Sequence, residues 1–224
     1  VVFTLPHELN SLVMGNRTVL FKQLFDSAAH TLLTLSRDPK WLGALPSITA
    51  VLHTWGQQLT FHPHLHCIVS GGGIDKNMNW CEPRNKTVQG YLFPYNVMEP
   101  LFKKHFLRNV NRMLQNDEIK ADTNVDWKKV KDFLYKKEWI VYAKSPMGNA
   151  GQVVEYLARY AYKVAISNHR ILDIMAGKVT FAYKDYSDYN KQKIMSLSLH
   201  DFVQRFEQHI LPRGFVKMRH YGIL

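Results

Sequence analysis

A chain of 224 residues, 46% of them hydrophobic, can bury one sizeable core or two small ones, and this composition excludes a disordered protein. Lysine and arginine number 29 against 18 acidic residues, a net charge of +11 that favours a polyanionic partner or an acidic surface. Cys67 and Cys81 are too few for a disulfide framework or an all-cysteine zinc site, and no stretch reads as a signal peptide or a bilayer span, so a reducing cytoplasm is the expected compartment.

Val1 to Thr4 reads as a strand stopped by Pro6. From Arg17 to Ser36, Val19, Leu20, Leu24, Ala28, Leu32 and Leu35 recur at helical spacing, and Asp38-Pro39 ends this core-facing helix. A strand is expected over Ile48 to Thr54. The next strand, Thr60 to Val69, carries His64-Leu65-His66. Side chains alternate along a strand, so the two imidazoles share one face while Leu65 and Cys67 take the other. Two imidazoles fixed by a rigid element suit a divalent metal. If the two strands pair, His53 falls opposite the histidine pair as a third ligand, with Gln57 and His62 in reserve. Pro63 removes a ladder hydrogen bond, which calls for an edge, a bulge or a strand start at that point. Gly71-Gly72-Gly73 reads as a turn in preference to a loop that approaches phosphate.

Short segments at Asn79 to Trp80 and Gly90 to Phe93 would complete a meander. A second helix, Val97 to Leu114, buries Leu101, Phe102, Phe106, Val110 and Met113. A third, Asp126 to Lys137, is strongly basic and suits phosphate contact or a solvated face. Trp139 to Tyr142 reads as a strand. Gly148 to Val164 forms a helix with Val153, Leu157, Ala161 and Val164 as its apolar stripe; Tyr156 and Tyr160 lie one turn apart along its edge, near Arg159 and Lys163. Tyr162 points away. Ser167-Asn168-His169-Arg170 offers phosphate and base donors, or equally a helix cap and turn. Val179 to Lys184 alternates like a strand, and its Tyr183 and Lys184, with Tyr186 and Tyr189 beyond, interleave rings and cations as single-stranded DNA binding requires. Ser198-Leu199-His200-Asp201 resembles a capping box for a helix from Phe202 to Leu211, and Arg213, Lys217, Arg219 and His220 make a basic tail. Strands and helices in no regular βα rhythm point to an α+β domain.

Phenolate, assisted by a metal that polarises phosphate, can displace a 3′ oxygen and retain the phosphodiester energy in a phosphotyrosine. His64-Leu65-His66 with a downstream helix of paired tyrosines resembles the HUH endonucleases. VVFTLPHELN, LHTWGQQLTFHPHLHCIVSGGG, YLARYAYKVAISNHRI and FEQHILPRGFVKMRHYGIL, spread over the whole chain, are more closely similar to the rolling-circle, two-tyrosine transposases of bacterial insertion sequences. The resemblance implies a mainly antiparallel sheet of ferredoxin-like type, His64 and His66 as metal ligands for Mg²⁺ or Mn²⁺, and Tyr156 and Tyr160 as nucleophiles. His53 as third ligand is similar to the three-histidine arrangement of conjugative relaxases. The implied partner is single-stranded DNA at transposon ends, in a bacterial cytoplasm at the nucleoid, with Arg159, Lys163, Asn168, His169, Arg170 and Lys184 as candidate DNA contacts. Residues 1–224 would be one catalytic domain lacking an N-terminal zinc-finger module that family members resemble.

Two alternatives stand beside this one. His62-Pro63-His64-Leu65-His66 also satisfies the alternating pattern of histidine-triad nucleotide hydrolases, which act without metal; that leaves the charge and the tyrosine pair unexplained. A non-catalytic nucleic-acid-binding protein would make both clusters structural.

Overall fold

A computed structural model describes residues 1–84, 92–144, 146–161 and 164–224, without the side chains of positions 150, 157 and 159 to 161. The chain runs β1 (Val2–Thr4), a 3-10 turn at His7–Leu9, α1 (Asn10–Gly15), α2 (Arg17–Arg37), β2 (Ser47–Trp55), β3 (Phe61–Val69), β4 (Gly73–Ile74) and β5 (Trp80–Cys81). It continues through α3 (Tyr95–Gln115), α4 (Trp127–Lys136), β6 (Val141–Tyr142), α5 (Ala150–Ala161), β7 (Ile171–Met175), β8 (Lys178–Asp185), β9 (Lys191–Ser198), α6 (Leu199–Glu207) and β10 (Met218–Gly222).

The expected α+β class with an antiparallel central sheet is what the chain forms. Five strands lie in the order β10-β2-β3-β1-β6, and every pairing among them is antiparallel. The strand bearing His64 and His66 is therefore central. One sheet face is greasy: Phe3, Ile48, Ala50, Leu52, Phe61, Leu65 and Cys67 pack with Leu20, Phe21, Leu24, Phe25 and Leu32 of α2 and Phe102, Phe106 and Val110 of α3. α2 earns this position by its apolar spacing, and Thr31 and Ser36 satisfy their buried hydroxyls on the carbonyls of Ser27 and Leu32, one turn back.

A second, three-stranded sheet, β7-β8-β9, is inserted between α5 and β10. Phe181 and α6's Phe202 meet edge to face, ring centroids 5.9 Å apart, beside Leu59, Ala165 and Ile166. Segments flanking this sheet grip the turn between β2 and β3. Arg170 donates to the Gln57 carbonyl, Arg205 to the Gln58 carbonyl, and His209 Nε2 lies 3.1 Å from the Leu59 carbonyl.

Several boundaries differ from the sequence expectations. Ser198 caps its helix, accepting from Asp201 N at 3.0 Å, but the helix begins at Leu199 and ends at Glu207 rather than running from Phe202 to Leu211. The supposed basic tail holds β10, whose Arg219 lies over the Phe25 ring at 4.4 Å, on the helix-covered face. Trp80 pairs not into a meander of the main sheet but with Ile74 in a separate ribbon, and positions 90 and 91 of the Gly90 to Phe93 segment lie outside the described residues. The strands β7 and β9 were not anticipated.

Candidate metal and nucleophile site

The site is built on the sheet face opposite α2 and α3. Antiparallel register sets His53 directly across from His64 and Val51 across from His66, so alternation sends all three imidazoles to one side. The ladder slips between His53 and Trp55: Thr54 alone stands opposite His62 and Pro63. This is the bulge that proline demanded, since its missing N–H costs nothing where pairing is already broken. His53, His64 and His66 each present a nitrogen, and the three nitrogens lie within 4.8 Å of one another.

Each imidazole is held by its surroundings. His53 is only 2% exposed and stacks on Trp55, ring centroids 4.7 Å apart and planes 17° from parallel. His64 Nδ1 sits 2.7 Å from the His62 carbonyl, so Nδ1 carries the proton and Nε2 the lone pair, the tautomer a metal-binding imidazole needs. His66 Nδ1 lies 3.0 Å from the Tyr156 hydroxyl. A phenol on α5 and an imidazole of the central strand are thus in hydrogen-bond contact across 90 residues of sequence.

Cys67, directly after His66 in sequence, points into the core, and burial pushes its thiol up to about 12, so it supplies no thiolate ligand. His62 shares the imidazole face, with ring centroid 5.2 Å from that of His64; burial lowers its pKa, and its carbonyl rather than its ring serves the centre. A cleft of about 820 Å³ opens beside Tyr156 around the end of β3, bordered by Thr49, Ile68, Trp80, Lys144 and Val153 and reaching Cys67 and Phe93 of the core side.

The other sequence candidates are dispersed. Tyr160 follows Tyr156 by one turn of α5, but its side chain and that of Arg159 fall outside the described residues, as does Lys163 altogether. Asn168, His169 and Arg170 form a 3-10 turn. Arg170 is engaged by the fold, donating from Nε to the Ala182 carbonyl at 2.8 Å and from Nη2 to Gln57, and it leans on the Phe181 ring. Asn168, His169 and Lys184 are exposed, with Lys184 reaching the Tyr186 ring at 6.0 Å. Sequence reasoning gave Trp55 no role; its place two residues after His53 on one strand face was the available signal.

Comparison with known proteins relates the chain to transposases. Residues 47–224 match the family described as "Putative transposase". The whole chain aligns with "Putative transposase y4qJ" of Sinorhizobium fredii at 38% identity, covering 57% of that protein. It aligns with "Transposase for insertion sequence element IS801" of Pseudomonas savastanoi pv. phaseolicola at 29% identity, covering 53%. The chain therefore spans about half the length of these relatives. No solved structure matches it significantly. With its family match extending from the first histidine-bearing strand through the tyrosine helix to β10, the chain belongs to this transposase family.

Proposed function

We propose that the chain is the catalytic domain of a metal-dependent transposase that nicks single-stranded DNA through Tyr156 and rejoins it, as in rolling-circle transposition. The observation that carries this is the 3.0 Å contact between the Tyr156 hydroxyl and His66, one of three converging imidazoles.

His53, His64 and His66 would hold the ion, and a nitrogen-rich set suits Mn²⁺ better than Mg²⁺. When bound, a divalent ion polarises the scissile phosphate and offsets its developing charge. The residues do the rest. Stacking on Trp55 and the carbonyl of His62 fix two of the rings. His66 Nδ1–H, in the tautomer that leaves Nε2 for the ion, holds the phenolic oxygen and steadies it as phenolate. The phenol gives up its proton to solvent water, the phenolate forms a bond to phosphorus, the bond to the 3′ oxygen breaks, and that oxygen takes up a proton from solvent. The 5′ phosphate stays esterified to Tyr156. Attack on this ester by a new 3′ hydroxyl reverses the chemistry and releases the tyrosine. Tyr160, one turn along, is the second nucleophile, which lets two strands be held at once.

The test is a mixture of the protein, Mn²⁺ and end-labelled single-stranded DNA, resolved under denaturing conditions. Label should migrate with the protein, and chelation or replacement of both Tyr156 and Tyr160 by Phe should remove at least about 99% of it, since loss of both nucleophiles removes the covalent step outright. Label that survives both would exclude the mechanism. A histidine nucleophile of the metal-free hydrolase kind would persist in chelator.

A further inference from the structure

The ribbon of β4 and β5 hangs off the main sheet directly after the histidine strand and contributes little to either core, yet it is packed with unusual closeness. A Cβ on Gly72 would sit 2.5 Å from the Cys81 carbonyl oxygen and 2.6 Å from Cζ2 of the Trp80 indole. One on Gly73 would sit 2.5 Å from the Leu45 carbonyl oxygen. Neither glycine has a positive φ, so space alone requires them. The missing Cβ of Gly72 is filled by the edge of an indole.

That indole is 57% exposed, and it borders the cleft that also borders Tyr156 and Lys144. An exposed tryptophan seated on glycine backbone in the wall of a cleft that a lysine and the candidate nucleophile also line has the parts of a base-stacking site. The chain's charge of +11 supplies the attraction for the polyanion.

We propose that Trp80 is the stacking platform for a base of the single-stranded DNA close to the scissile phosphate, and that Gly72 serves to seat it. This rests on the nicking function proposed above and adds a positioning residue to it. Stacking a base on Trp80 would hold the neighbouring phosphate in the cleft within reach of Tyr156.

Binding of oligothymidylate in chelator, where no cleavage occurs, is compared with binding of an abasic deoxyribose-phosphate oligomer of equal length and charge. The wild-type chain should prefer the oligomer with bases, and Trp80→Ala should shrink that preference by about 5- to 150-fold, the range typical of one stacked base. Trp80→Phe should restore most of it, and Gly72→Ala should mimic Trp80→Ala. Binding of the abasic oligomer should not change. In the wild-type chain, 5-iodouracil in the oligonucleotide should photo-cross-link to the tryptic peptide Asn77–Arg84, whose one aromatic residue is Trp80. This arm decides the matter should a variant fail to fold. An unchanged preference in a folded Trp80→Ala chain, or cross-links confined to other peptides, overturns the proposal. Those results with covalent label still formed on Tyr156 would remove the platform alone. Absence of label with the wild-type chain and Mn²⁺ would remove the nicking function instead.

Discussion

His53 sits at 2% exposure between Trp55 and the other two imidazoles, with little room to move. One nitrogen of this buried ring converges with one each from His64 and His66, so His53 would supply a fixed ligand to an ion there. His53→Ala should therefore weaken Mn²⁺ binding, measured by calorimetry, by at least the 10- to 100-fold that losing an outer partner of a ligand typically costs. His209 gives a separate, pH-dependent signature. Its Nε2–H donates to the Leu59 carbonyl while Nδ1 accepts from the Thr54 hydroxyl at 3.2 Å, a pairing complete only in the neutral ring. Burial, with the Arg17 charge adding to it, holds its pKa below the usual 6.5, against a weaker opposing effect of the Leu59 hydrogen bond. Above about 6.5 neither the folded nor the unfolded ring takes a proton; below it the unfolded ring does and the folded one refuses, so stability falls with acid. His62 and His105 are depressed in the same direction. The melting temperature should drop between about pH 7.5 and about pH 5.5, and His209→Gln should flatten part of that drop.

Among the elements, α3 is tied to β6 by a nearly buried ion pair. Glu99 Oε1 accepts from the Trp139 amide at 3.0 Å and lies 2.9 Å from Lys103 Nζ, which donates to the Lys137 carbonyl. Glu99→Ala would leave the ammonium without its counter-charge at a site where the carboxylate is 6% exposed, and chemical denaturation should show a loss of about 3–5 kcal/mol. Gly222 is the other sensitive joint. Its φ is +82°, and a Cβ there would run into the Pro46 carbonyl, so Gly222→Ala should unpair the end of β10 from Ser47, seen as faster amide exchange at Ser47 and Gly222. What was legible in the sequence at this scale follows from periodicity. The apolar spacing of α2 and α3 and the alternation of β3 are strong signals, because one face of each is committed to the core. β7, with Leu172, Ile174 and Met175 exposed, has no such commitment, and in β9 the alternation that sets Met195 and Leu197 against the second core is masked in the sequence by the apolar Ile194 on its exposed side. β10 was hidden by Arg219, a charged residue that packs over rings on the core side.

On the scale of the whole molecule, the two halves of the site lie about 90 residues apart in sequence and meet through tertiary structure. The histidine spacing showed that two rings share a face, and the partnership with His53 depended on a strand pairing that could be expected. The contact of Tyr156 with His66 could not be read from either motif, because nothing local sets where α5 lies against the sheet. No helix among the described residues is long and apolar enough to cross a membrane. A charge of +11 predicts that DNA affinity falls linearly on a double-logarithmic plot against salt, with a slope that counts the phosphates neutralised; filter binding across a salt series measures it, and a flat line would mean that the charge does not meet the DNA.

The order β10-β2-β3 has a further consequence for how the protein can be shortened. β2, which carries His53, is an interior strand only because residues 218 to 222 return to cover it after the excursion through the second sheet. A chain cut before Met218 would present the bare hydrogen-bonding edge of β2, a template on which other molecules can polymerise. Light scattering from such a truncation should reveal aggregates rather than a smaller working enzyme.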